Sequence, residues 1–321
     1  MRIVIPDDYQ DAVRSLDCFH LLAKHHVTIY NDDCKDTQLL AHRFQEADAL
    51  VLIRERTAIT EELLAQLPDL KLIAQTGRGA PHLDVAACTR HGVAVVLGSG
   101  TPYATAELTW GLILASLRHI PQEAARLKQG RWQTTLGIGL HGRTLGIFSY
   151  GKIGSMIAEY GRVFGMKVLV WGREGSLARA RAAGFATAAS QDELFREADI
   201  LSLHLKLTEE TRGIVTAADL AKMKDSALLV NTSRAGLIVP GALEQAIRAG
   251  HPGYAAIDVY ENEPAINDPL LRLDNILCTP HLGYVEKDSY EALFETAFTQ
   301  VLSFADGNLV DILNPEVLKR S

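Results

Sequence analysis

Only four cysteines occur in the 321 residues. Cys18, Cys34, Cys88 and Cys278 show neither CxxC pairing nor zinc-ligand spacing, so they read as reduced, packed thiols and no metal site is expected. Basic residues are not in surplus: the net charge is −7 and no long basic run occurs, which argues against nucleic acid and anionic membranes as partners. No apolar run reaches transmembrane length. The amino-terminal MRIVIPDDYQD has no charged-then-apolar signal layout, so a cytoplasmic protein is expected. Repeats and low-complexity stretches are absent. Hydrophobic residues at 47% and charged residues at 22% suit globular packing, and the length allows two domains.

Short apolar runs alternate with helical spacing along the chain. Strands are expected at Ile3–Ile5, Val27–Tyr30, Ala49–Ile53, Leu70–Thr76 and Val93–Val96. Helices are expected near Tyr9–Leu16, Thr37–Glu46, Thr60–Leu67 and Leu83–His91. This rhythm predicts a parallel sheet covered on both faces. Gly98-Ser99-Gly100-Thr101-Pro102 interrupts it and marks a first domain boundary. A helix over about Ala104–His119 is apolar nearly all round, as for a helix buried between domains, and a polar link Glu123–His141 follows it.

Residues 143–174 form the most informative stretch. Leu145–Phe148 reads as a buried strand, Ser149-Tyr150-Gly151 as a turn, Ile153 to Phe164 as a helix stopped by Gly165, and Lys167–Trp171 as a second strand. A strand–turn–helix–strand unit of this kind holds a dinucleotide pyrophosphate at the helix N-terminus. The GxGxxG fingerprint appears as Ser149-Tyr150-Gly151-Lys152-Ile153-Gly154. Serine replaces the first glycine and makes the turn if its φ stays negative. At the end of the second strand Gly172 stands where an acid would accept from the NAD ribose, and Arg173 follows. Arg173 can fork onto a 2′-phosphate, favouring NADP; the other readings are a ribose contact from Glu174 and a plain surface charge at Arg173.

Further strands are expected at Ile200–Leu205, Ala227–Asn231, Ala255–Asp258 and Ile276–Thr279, and helices near Gln191–Glu197, Ala217–Lys224, Pro240–Ala249 and Lys287–Ala305. Ser190 and Glu193 fit a capping box and Gly250 a helix stop. The last helix is expected to cross back onto the first domain. Polar groups follow several strands: Arg78 and Gly79 within Thr76–Pro81, then Asn231–Arg234, Asp258–Pro264 and Thr279–His281. The Thr76–Pro81 stretch reads equally well as a plain turn, and Arg234, Glu263 and His281 each read more readily alone as a surface charge, a loop residue and a packed histidine. Their common place at strand ends, where parallel sheets bind ligands, makes a site of Arg234, Glu263 and His281.

The segments LKLIAQTGRGAPHLD, Thr105-Ala106-Glu107, GRTLGIFSYGKIG, HLKLTEETRGIV, VNTSRAGLIVPGALEQAI, AAIDVYENEP and CTPHLGY, in this order, resemble the D-isomer-specific 2-hydroxyacid dehydrogenases over nearly the whole chain. Thr105–Glu107 and Gly172-Arg173 look most like the glyoxylate/hydroxypyruvate reductases of that family. The resemblance implies two doubly wound parallel-sheet α/β domains: a flavodoxin-like substrate domain (1–98 plus 286–321) and a Rossmann dinucleotide-binding domain (99–285). It implies reduction of a small 2-keto acid by NADH or NADPH in a cleft between them. Arg234 would bind the substrate carboxylate and keto oxygen. His281 would be the general acid/base and Glu263 its partner. The backbone at Arg78 and Gly79 would hold the carboxylate. Thr105, Tyr150, Gly151, Lys152, Ile153, Arg173, Thr232 and Asp258 would contact the cofactor, and the long helix would lie in a homodimer interface. Departures from the pattern are Ser149 for glycine, Gly172 for the acid and Lys206 for a common proline. The rival readings are a phosphoglycerate-type dehydrogenase, a formate- or phosphite-oxidising enzyme, and a cofactor-sensing protein like the corepressors that share the fold.

Overall fold

A computed structural model describes residues 1–308 and 311–319. The chain divides into two compact units, Met1–Thr101 with Glu286–Ser321, and Pro102–Val285. Both are α/β units built on parallel sheets.

In the first unit β1 (Arg2–Ile5), β2 (His26–Ile29), β3 (Ala49–Leu52), β4 (Leu72–Gln75) and β5 (Ala94–Leu97) form one sheet in the flavodoxin-like order β2-β1-β3-β4-β5. Every residue of β3 and β4 is buried, as expected of strands covered on both faces. The helices Thr37–Phe44, Glu61–Leu64 and Val85–Arg90 are started by Asp36, Thr60 and Asp84, whose side-chain oxygens each accept from the N–H three residues on. The helix Lys287–Ala305 belongs to this unit. Glu286 caps it by accepting from Asp288 N and Ser289 N, and the helix packs on β4 and on the 3₁₀ turn Asp17–Leu22. Phe294 and Phe298 are buried there.

The expected helix Tyr9–Leu16 does not form. Asp8 is buried and spends its carboxylate on Ala12 N and Val13 N, leaving only the 3₁₀ turn Val13–Ser15 before Leu16 extends.

The second unit holds β6 (Thr144–Phe148), β7 (Lys167–Trp171), β8 (Ala186–Thr187), β9 (Ile200–Leu203), β10 (Leu228–Asn231), β11 (Tyr254–Ile257) and β12 (Ile276–Cys278). Their order, β8-β7-β6-β9-β10-β11-β12, is that of a Rossmann sheet with one added edge strand. The order reverses between β6 and β9, which makes the crevice at their carboxyl ends the place for a dinucleotide. The long helix Tyr103–Leu117 packs on the helix Lys152–Val163 and on β10, β11 and β12, with Trp110 edge-on to Tyr160 and Phe164. Part of the expected polar link is helical, Ile120–Lys128. It buries no residue, so no apolar stripe announces it; Glu123 anchors it by accepting from Thr134 N. The helix Glu174–Ala182 and the short β8 likewise had no signal in the apolar pattern. At Ser190 only half of the capping box forms. Ser190 accepts from Glu193 N, but the Glu193 carboxylate goes to Ala189 N.

Candidate active site

Three neighbouring strands set out the candidate catalytic groups. Asn231 at the end of β10 pairs with Ile257 of β11, which pairs with Cys278 of β12. The loops that follow therefore leave one edge of the sheet within about 10 Å, two strand spacings. They carry Arg234, Asp258 with Glu263, and His281.

Arg234 is placed by the strand end before it. Asn231 is buried, donates from Nδ2 to Arg234 O at 2.9 Å, and accepts Ser233 N at 3.0 Å. Ser233 Oγ donates to Leu203 O, tying this turn to β9. The Arg234 guanidinium donates to Ser233 O at 2.7 Å.

Asp258 is fully buried. Thr279 Oγ1 and Leu282 N donate to one carboxylate oxygen at 2.7 and 2.6 Å, and Gly283 N donates to the other at 2.8 Å. Burial pushes its pKa up, and these donors pull against that shift. These three donors make the carboxylate the anchor of the 279–283 loop. That loop brings His281 Nδ1 to 2.6 Å from Glu263 Oε2. Glu263 Oε1 accepts from Tyr260 N at 3.0 Å. Burial would raise the Glu263 pKa. The His281 contact, the Tyr260 N–H and the charge of Arg234 outweigh burial and hold it below the usual carboxylate range. An ionised Glu263 can only accept, so it selects the His281 tautomer protonated on Nδ1 and keeps Nε2 for proton exchange. Arg78 and Gly79 lie in the other unit, on the loop after β4. Buried Gln75 holds that loop by donating to Gly79 O and Arg54 O.

The turn after β6 differs from the sequence expectation at Ser149, whose φ is +81 rather than negative. The serine adopts the left-handed conformation that the missing glycine would have supplied, at a cost of about 1 kcal/mol or more. A Cβ on Gly154 would stand 2.3 Å from Ser149 O, so this position is held to glycine, whereas a Cβ on Gly151 would meet nothing within 4 Å. No side chain caps the helix Lys152–Val163, so its first N–H groups are left for an anion. The site fits a dinucleotide pyrophosphate on these grounds.

The Tyr150 N–H donates to Ser176 Oγ at 2.5 Å and its carbonyl accepts from Arg179. Buried Ser176 carried no recognisable motif. Thr105 donates to Gly283 O and Thr232 is bonded to Thr109, each at 2.7 Å. These two hydroxyls join the long helix to the catalytic loops. Arg173 pairs with Glu210 at 3.0 Å, with about three-quarters of each side chain exposed. Glu174 pairs with Arg181.

His204 is a further group that apolar patterning could not pick out. It follows β9 at the strand-order reversal. Neither ring nitrogen has a hydrogen-bond partner, and burial pushes its pKa down to about 3. Among the described residues no His, Cys, Asp and Glu cluster could hold a metal ion, and no helix is long and apolar enough to cross a membrane.

A sequence profile described as "D-isomer specific 2-hydroxyacid dehydrogenase, NAD binding domain" matches residues 110–283. The chain is 37% identical over 295 residues to a glyoxylate reductase of Aeropyrum pernix, covering 88% of this chain and 87% of that one. It is 36% identical over 275 residues to a D-3-phosphoglycerate dehydrogenase of Methanocaldococcus jannaschii, covering 85% of this chain but 52% of that protein. A crystal structure titled phosphoglycerate oxidoreductase, from Vibrio cholerae o395, superposes with a TM-score of 0.94 at 54% identity, covering 96% of this chain and 99% of that one.

Proposed function

The chain belongs to the D-isomer specific 2-hydroxyacid dehydrogenases, and from that premise we propose that it reduces a small 2-keto acid of the glyoxylate or hydroxypyruvate type to the D-2-hydroxy acid. The 2.6 Å contact between His281 and Glu263 carries this reading. A nicotinamide cofactor, when bound, would supply the hydride. His281 gives the carbonyl oxygen its proton from Nε2, and Glu263 holds the ring and offsets its charge. Arg234 holds the carboxylate and keto oxygen with its planar fork. Arg78 and Gly79 add backbone donors to the carboxylate.

NAD(H) follows from the family profile; the finer reading is a preference for NADPH. It is supported by Gly172 in place of an acid and by Arg173, whose exposed pair with Glu210 is worth at most about 1 kcal/mol and so opens readily. Lys152 and Ile153 offer N–H groups to the pyrophosphate, with Gly151 giving the backbone room. Thr105, Thr232 and Asp258 are proposed to contact the cofactor, and their hydrogen bonds to Gly283, Thr109 and the 279–283 loop support that placement.

A homodimer is also proposed. Ile120, Leu127, Trp132 and Leu136 are all more than half exposed, a concentration of apolar surface typical of an interface. Four unpaired cysteines suit a reducing compartment, and a cytoplasmic location is part of the proposal.

Loss of NADPH and NADH absorbance across a panel of keto acids tests the reading. Turnover of glyoxylate or hydroxypyruvate is expected. Nucleotide binding without oxidation by any acid would favour the sensor alternative. Turnover confined to a phosphorylated hydroxy or keto acid would favour the phosphoglycerate reading, which the names of the M. jannaschii and V. cholerae proteins support.

A further inference from the structure

Tyr260 is bonded to Glu263 and to Thr279, the residue two before His281. Its hydroxyl donates to Thr279 O at 3.0 Å, and its own N–H donates to Glu263 Oε1 at 3.0 Å. The His281 N–H also donates to Thr279 O, at 3.0 Å, so two donors converge on one carbonyl two residues before the imidazole. His281 has φ +53, a backbone state that surrounding contacts must impose on a non-glycine residue. Tyr260 packs against the apolar core of the second unit. It borders a cavity of about 230 Å³ lined also by Asn231, Ile238, Val259 and Leu270. Apolar packing sets the depth of the ring, and the hydroxyl's bond to Thr279 O adds a directional restraint. Phenylalanine would keep the apolar area and lose the anchor.

We propose that Tyr260 is a positioning residue for the proton-transfer pair: its hydroxyl holds the Thr279–His281 turn where Nδ1 meets Glu263. The inference rests on the reading of His281 as general acid. Tyr260 touches none of the reacting atoms and acts through Thr279 and Glu263.

The test is a double-mutant cycle of Tyr260→Phe and His281→Ala, measured with glyoxylate and NADPH. Tyr260→Phe is expected to lower kcat by roughly 3- to 10-fold, the size of one neutral hydrogen bond. KM for glyoxylate and the nucleotide Kd should stay within about twofold. In the His281→Ala background the same change should alter the residual kcat by less than about twofold, because no imidazole remains to be placed. An equal loss in both backgrounds would show a merely structural role and overturn the proposal. Wild-type kcat for Tyr260→Phe, beside a crippled His281→Ala, would overturn it and leave the acid/base reading intact. Full turnover by His281→Ala would remove both.

Discussion

His281 Nδ1 and Glu263 Oε2 meet at 2.6 Å across a sequence separation of 18. Replacing His281 by alanine should lower kcat by roughly 100- to 10,000-fold. Glu263→Gln keeps the imidazole but removes the charge that selects its tautomer, so a smaller loss is expected. Steady-state rates under saturating nucleotide decide this, and a Glu263→Gln enzyme as fast as wild type would contradict the pairing argument.

Arg234→Ala should act mainly on the keto acid. Losing a charge-assisted contact worth about 1.5–3 kcal/mol raises KM by roughly 10- to 150-fold. Arg234→Lys should recover only part, since an ammonium cannot fork. Nucleotide affinity, read by fluorescence titration, should not change in either variant.

The pair Arg173–Glu210 gives opposite expectations for its two members. Arg173→Ala should weaken NADPH by roughly tenfold and leave NADH unaffected. Glu210→Ala frees the guanidinium and removes a negative charge near the same place, so NADPH should bind more tightly. If both variants leave the NADPH-to-NADH ratio unchanged, the 2′-phosphate is read elsewhere.

The dinucleotide turn separates two glycine effects. Ser149→Gly removes the strain of φ +81 and should raise Tm by roughly 2–4 °C. Gly154→Ala drives a methyl against Ser149 O and should cost about 1–3 kcal/mol or more, with weaker nucleotide binding. Thermal melts with and without nucleotide separate the two consequences.

Acid sensitivity should trace in part to His204. An unfolded histidine takes up a proton below about pH 6.5, whereas His204 in the fold stays neutral down to about pH 3. The unfolded state then binds more protons, so stability falls with pH below 6.5 by about 1.4 kcal/mol per unit. His82, lowered to about 4 by burial, has the same sign in the first unit. Asp7 and Asp258, raised by burial, oppose the trend at lower pH. Between pH 7.5 and 5.5 the wild-type Tm should fall further than that of His204→Leu. Equal slopes would place the acid sensitivity elsewhere.

Strands buried on both faces were legible as apolar runs: the fully buried Ala49–Leu52 lies inside the expected Ala49–Ile53. The segment 9–22 was not, because side-chain carboxylates decide its form: neighbouring Asp8 takes two of its N–H groups, and distant Glu291 takes those of Asp17 and Cys18. Ile120–Lys128 was missed because it buries nothing. At the candidate site, the strand ends bearing Arg234, Asp258 and His281 could be read from the chain. That the imidazole should face Glu263 came from the family resemblance, since no periodicity links two loop residues. Ser176 and Tyr260 were invisible because their work lies in single hydrogen bonds to backbone atoms.

The placement of Lys287–Ala305 on β4 has a consequence for biosynthesis. A ribosome finishes all five strands of the first sheet before it starts on Pro102–Val285, and delivers the helix only afterwards. At about 5–20 residues per second the interval is roughly 10–40 s. Through that time the nascent sheet keeps an uncovered apolar face, and the intervening unit can fold before its predecessor is sealed.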